Sequence, residues 1–380
     1  MDAELSESHR MLALTVREFC QREVTPRARS WDEAERFPIE IVPRLAELGL
    51  LGVRIPEEYG GAGMDTLAYA LVVEECARAD GSLALTVASH NGLGTSHIAT
   101  FGSEEQKRHY LPKAASGEWL AAWALTEPGS GSDSAAAKTT AVRDESGDWI
   151  LEGSKMFVTQ GSVCGFCVVL ARTNKEVAPH RGITAFVVDP KSPGFAAGRD
   201  IKKYGCRSSD TAEVVLQAVR VPDSNRIGAI DHGFYDTMRI LDRGRVSIAA
   251  MALGLGRGAL EMAVSYAKER SAFGKPISEY DAMRTLLATS RAELDAAALL
   301  VYRAAVMADS GKLYSREASM AKLYASEAGT RACNAAMQIH GGYGYTREFA
   351  VERHLRDVKL CEIGEGTSQV QKMVIARNLI

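Results

Sequence analysis

With 380 residues, 46% hydrophobic and 24% charged, the chain has apolar material for two or three cored units and too much for a disordered chain. A formal net charge of −3 offers no global attraction to nucleic acid or to an anionic membrane surface. The longest apolar stretch, Val246 to Gly256 between Arg245 and Arg257, is too short to cross a bilayer, so no membrane insertion is expected.

At the start of the chain, Asp2, Glu4 and Glu7 stand where a signal or transit peptide needs basic or apolar residues. An intracellular chain is expected, cytoplasmic in a bacterium or in the mitochondrial matrix for a mature eukaryotic chain. Residues 1–117 read as a helical domain. Leu12, Val16 and Phe19 share a face, Pro26 interrupts, and Ile41, Leu45, Leu48 and Leu50 follow. The stretch from Pro56 through Tyr59 to Gly63 has too many turn formers to stay helical.

Residues 118–228 change period and predict a small β domain. Its runs are Trp119 to Thr126, Trp149 to Glu152, Met156 to Thr159, Cys167 to Ala171, Ile183 to Val188 and Ala212 to Val221. Residues 229–380 return to helix. Met283, Leu286, Leu287, Leu294, Ala298 and Val301 form one stripe, and Ala321, Ala325, Ala328, Ala332, Ala335 and Ile339 another. Small residues at that spacing let helices approach closely, which predicts an antiparallel bundle and leaves an oligomer interface open. The seven scattered cysteines fit a reduced compartment. Only Cys164 and Cys167 have suggestive spacing, and with no second pair or histidine cluster beside them no metal is expected.

Four segments carry possible chemistry. After the first predicted strand, Thr126-Glu127-Pro128-Gly129-Ser130-Gly131-Ser132-Asp133 offers hydroxyls and free backbone N–H groups to a flat polar ring or a phosphate, or is an ordinary turn. Trp123, Thr126, Phe157 and Thr159 can sandwich a planar heterocycle, or the two aromatics are core residues. Arg270 can clamp a phosphate or complement a helix C-terminus. Last, Glu365 stands between Gly364 and Gly366 with no adjacent cation in the sequence, a placement suited to a base that removes a proton next to a carbonyl, or to a plain turn.

In order and spacing, Pro56 to Gly61, Thr126 to Asp133, Lys155 to Gly161, Asp242 to Arg245, Arg270 to Gly274, Gln338 to Gly342 and Glu365 to Gln369 resemble the acyl-CoA dehydrogenase family over essentially the whole chain. The resemblance implies a mainly α fold with a helical N-terminal domain, a barrel-like middle β domain and a C-terminal four-helix bundle. It implies FAD bound without a dinucleotide fold. Trp123, Leu125, Thr126, Gly131, Ser132, Phe157 and Thr159 would lie on its flavin side, with Thr367 and Gln369 as further contacts. Arg270, Phe273, Gln338, Gly341 and Gly342 would reach the pyrophosphate and adenosine half, partly on a neighbouring subunit's FAD. Ser132, Asp242, Arg245 and Gly366 resemble substrate contacts. Glu365 is similar to the base that removes the α-proton of an acyl-CoA thioester while the β-hydride passes to flavin N5.

The family's partners, implied likewise, are an electron-transfer flavoprotein and further copies of the chain, taken as a tetramer. Trp123 replaces a frequent Tyr or Phe and Phe157 a frequent Trp, while Asp281 replaces a Gln of some relatives and leaves one cofactor contact open. Some relatives carry the base at the position held here by Gly244, and many carry Tyr where Gly364 stands. A same-fold oxidase or monooxygenase using oxygen directly, and a helical scaffold without chemistry, are the rival readings.

Overall fold

The computed structural model describes residues 5–380, so Asp2 and Glu4 of the N-terminal expectation lie outside the described residues. Ser6 caps the first helix, its hydroxyl accepting from His9 N, and α1 (Glu7–Phe19) buries Val16 and Phe19. Pro26 does not interrupt the helical path. One π turn, Cys20–Val24, leads directly into α2 (Thr25–Ala34), which carries Pro26 in its first turn, where a missing N–H leaves no intrahelical bond unmade. After α3 (Val42–Glu47), helices α4 (Thr66–Ala79) and α5 (Gly81–Ser89) start at Asp65 and Asp80, whose carboxylates accept from Ala68 N and Leu83 N. A second π turn, His90–Gly94, joins α5 to α6 (Thr95–Phe101), and α7 (Glu104–Ala115) opens on a Ser103/Gln106 capping box.

The π turn is tied down by His90. Its Nδ1 accepts from Ala121 N at 3.0 Å, so Nε2–H donates to Leu51 O at 3.0 Å, and burial lowers its pKa to about 4. A neutral imidazole thus fixes the helical layer to the first strand.

Eight strands form one mixed sheet: β1 (Leu120–Ala124), β2 (Thr140–Arg143), β3 (Trp149–Thr159), β4 (Cys164–Arg172), β5 (Ile183–Val188), β6 (Phe195–Asp200), β7 (Thr211–Val221) and β8 (Arg226–Ile227). Their order is β6-β7-β3-β2-β4-β5-β8, with β1 parallel to β4. The sheet curls over a core of its own, as a barrel-like domain must. Cys167, Val169 and Ala171 of β4 face that inner core with Trp149, Leu151 and Val214, while Phe166, Val168 and Leu170 pack with Leu111 and Ala114 of α7. Two buried faces account for the unbroken apolar run of β4.

The expected runs at Trp149 and Met156 are one strand. Gly153 joins them with φ +149°, so close to Thr139 that a Cβ would lie 2.5 Å from its Oγ1. β2 and β6 were not expected, because Thr140–Arg143 turns two side chains outward and β6 contains Ala-Ala-Gly; pairing with β3 and β7 holds them extended.

The bundle comprises α8 (Gly233–Glu269), α9 (Asp281–Asp309), α10 (Ser315–His340) and α12 (Ser368–Arg377), with α11 (Val351–Val358) packed on α8 and α10. By length and composition α8 could cross a membrane, but its apolar window is 78% buried and it packs on α4, α9 and α10. It is the central helix of a core that the N-terminal helices share, with Phe19, Tyr69 and Val72 in one cluster with Val246, Leu253 and Ala325. All seven cysteines are free, and burial pushes the Cys164 thiol up to about 12 and that of Cys167 well above its ordinary range.

Candidate active site

Glu365 adopts φ +52° and Gly366 φ +94°, a left-handed turn that strains the glutamate. Side chains from two other helices hold it. Lys322 Nζ on α10 donates to Gly366 O at 2.6 Å, and Gln371 Nε2 on α12 donates to the same carbonyl at 2.8 Å and to Glu365 O at 3.3 Å. Thr367 then caps α12, its Oγ1 accepting from Val370 N at 3.3 Å.

The carboxyl group of Glu365 lies against α8. A Cβ on Gly244 would sit 1.7 Å from Glu365 Oε2, so only glycine leaves room for this carboxylate. Glu365 as a residue is half-buried, yet Oε2 itself is shielded from solvent and has no hydrogen-bond partner among the described residues. Desolvation pushes its pKa up to about 7 against the opposing charges of Lys322 and Arg245. A carboxylate balanced near neutrality with a free oxygen is suited to accept a proton.

Beside it, Arg245 donates from Nη1 to Asp242 Oδ1 and, at 3.4 Å, to Ser315 Oγ, which itself donates to Asp242 Oδ1 at 2.8 Å. Among the described residues Arg245 Nε is buried without a partner, a donor left over for a ligand oxygen. Tyr69 on α4 also feels the Glu365 charge. Its hydroxyl donates to Ala88 O at 2.7 Å and lies under Gly92, where a Cβ would be 2.6 Å away, and desolvation drives its pKa upward so that it stays neutral. Sequence reading missed Tyr69, Ser315, Lys322 and Gln371. Only Lys322 carried a signal, a lysine set next to the alanine stripe of a helix that must bury that face.

A second group surrounds the loop after β1. Buried Lys155 Nζ donates to Glu127 Oε1 at 2.8 Å and to Leu125 O at 3.2 Å, and Glu127 also accepts from Lys138 N and Thr139 N. Although desolvation opposes it, the Lys155 charge and these donors hold the Glu127 carboxyl below its ordinary pKa. The loop is thereby pinned while Gly131 and Ser132 stay exposed. Of the two aromatics, Trp123 belongs to the core, with Nε1 donating to His97 Nδ1 at 3.2 Å, whereas Phe157 is 61% exposed at φ +57° where the β3–β7 register shifts. Leu125 is buried, Thr126 and Thr159 are half-buried, and Gln369 is exposed.

The third group is remote. Arg270, Gln338, Gly341 and Gly342 line a recess of about 560 Å³ walled by Tyr266 stacked on His340 at 4.3 Å. Phe273 lies outside it, 98% exposed at the tip of the hairpin formed by β9 (Ser271–Ala272) and β10 (Lys275–Pro276), and the Asp281 side chain is fully exposed with Arg284 3.8 Å away. Between Gly244 and Arg270 runs most of α8, about 39 Å at 1.5 Å per residue.

The residues present fit FAD. Phe157 offers an aromatic face, Gly129 and Gly131 have open space where a Cβ would stand, and Arg270 sits in a recess with two glycines equally unobstructed.

Comparisons agree along the length of the chain. The acyl-CoA dehydrogenase N-terminal, middle and C-terminal domain families match residues 6–118, 122–219 and 231–380. The chain is similar to a probable acyl-CoA dehydrogenase of Bacillus subtilis, 43% identical with both chains fully covered. It is likewise similar to the CarC subunit of the caffeyl-CoA reductase-Etf complex of Acetobacterium woodii, 41% identical over 99% of each chain. Among solved structures, butyryl-CoA dehydrogenase from Megasphaera elsdenii superposes with a TM-score of 0.97 at 37% identity, covering 100% of both chains.

Proposed function

The chain belongs to the acyl-CoA dehydrogenase family, FAD-dependent oxidoreductases, and from that premise we propose that it converts an acyl-CoA thioester to the trans-2-enoyl-CoA with Glu365 as the base. The observation that carries this reading is the free, desolvated Oε2 of Glu365 with its pKa near 7. Oε2 takes the α-proton: an O–H bond forms, the α C–H bond breaks, and its electron pair becomes the new double bond as hydride leaves the β-carbon. Bound FAD supplies the acceptor for that hydride. Arg245 Nε, Gly366 and exposed Ser132 are the groups that orient the thioester, with Asp242 holding Arg245. The loop of Leu125 to Ser132, with Trp123, Phe157, Thr159, Thr367 and Gln369, would hold the flavin half. Arg270, Phe273, Gln338, Gly341 and Gly342 would hold the pyrophosphate and adenosine half of a cofactor seated on another copy.

Electrons leave to an electron-transfer flavoprotein, a reading supported by the Etf complex named for one relative. Anaerobic titration with butyryl-, isobutyryl- and octanoyl-CoA tests the assignment. Bleaching of the flavin band, with slow recovery in air and fast recovery on adding electron-transfer flavoprotein, is expected. No bleaching by any thioester would remove the dehydrogenase reading, and rapid recovery in air would favour the oxygen-using rival.

A further inference from the structure

Lys322 is a fully buried cation beside the base. Its Nζ donates to Gly366 O at 2.6 Å, the one hydrogen bond it makes among the described residues, and no carboxylate forms an ion pair with it there. An ammonium placed so is unfavourable to bury unless its charge is used. A methionine or leucine would fill the same space on α10 without that penalty.

We propose that Lys322 is a positioning residue for Glu365, fixing the strained Glu365–Gly366 turn through the Gly366 carbonyl and keeping the base ionised by its charge. The inference rests on the reading of Glu365 as the base. Four ionisable groups face Glu365: Lys322 from α10, Arg245 from α8, Tyr69 from α4 and Cys361 from the turn after α11. Arg245 is already paired with Asp242. Burial pushes Cys361 up to about 12 and Tyr69 higher still, so both are neutral, and nearby Glu362 is paired with Lys359. That leaves Lys322 as the uncompensated cation. Desolvation lowers its pKa to about 8, which still leaves it charged at pH 7.

The sign follows directly. A neighbouring cation favours the carboxylate, so removing it raises the Glu365 pKa above about 7 and moves the acid limb of activity to higher pH. The test is the titration of the Glu365 carboxyl in the holoenzyme by difference infrared spectroscopy, using the band that Glu365→Gln lacks, together with the pH profile of single-turnover flavin reduction. Lys322→Met should raise the carboxyl midpoint by about one unit and slow turnover about fivefold at pH 7, with recovery toward pH 9. Lys322→Gln keeps a donor but no charge and should shift the same way, and Lys322→Arg should restore the midpoint. An unmoved midpoint and acid limb in both neutral variants, with Glu365→Gln inactive, would overturn the role of Lys322 and spare the base; an active Glu365→Gln would overturn both.

Discussion

Gly364 leaves open the space beside Glu365. A Cβ there would meet nothing nearer than Leu360 O at 3.5 Å, so the backbone leaves room for a bulkier side chain. On the proposed reading this space would admit a branch near the α or β carbon, and a pocket difference of one methylene is worth only about 1–3 kcal/mol. Discrimination among short and medium thioesters should therefore be shallow. Gly364→Tyr should depress turnover of isobutyryl- and isovaleryl-CoA about tenfold more than that of butyryl-CoA, measured as kcat/KM; equal loss on all three would show that Gly364 does not shape the pocket. At this scale the turn at Glu365 was legible because its glycine neighbours are sequence neighbours. Lys322 and Gln371 were not, since they reach the same turn from α10 and α12, and no local pattern records that meeting.

Among the elements, the loop after β1 depends on a pair that links it to β3. Lys155 is fully buried, Glu127 nearly so, and together they fix both ends of the loop that would carry the flavin half. Lys155→Met leaves a buried carboxylate with only its two amide donors, and removing one member of such a pair costs about 3–5 kcal/mol. Denaturant unfolding should register that loss, and Glu127→Gln added to Lys155→Met should recover most of it. An unchanged midpoint in the single variant would contradict the anchoring role. The helices were legible from period and caps. The strands were legible where both faces are apolar, as in β4, and illegible where pairing overrides composition, as in β6. Pro26 misled because a proline in a first turn and a proline that breaks a helix look alike until the π turn before it is seen.

The whole molecule is organised by α8, which carries Gly244 in its N-terminal third and Arg270 just past its C-terminal end. That separation, and the half-exposed Met283, Leu286 and Leu287 on α9, motivate an assembly in which each cofactor is completed by a second copy. Arg270→Ala should release FAD on dilution, because a phosphate clamp of charge-assisted hydrogen bonds is lost. A wild-type monomer by sedimentation that retains FAD tightly would contradict shared sites. What remains decisive is whether the carboxylate facing Gly244 does the chemistry. Glu365→Gln keeps the volume and removes the proton acceptor, and losing a general base lowers rate by about 10² to 10⁴. Anaerobic mixing of that variant with butyryl-CoA should give a folded, yellow protein whose flavin is not bleached on the wild-type timescale; bleaching at near wild-type speed would remove Glu365 from the mechanism.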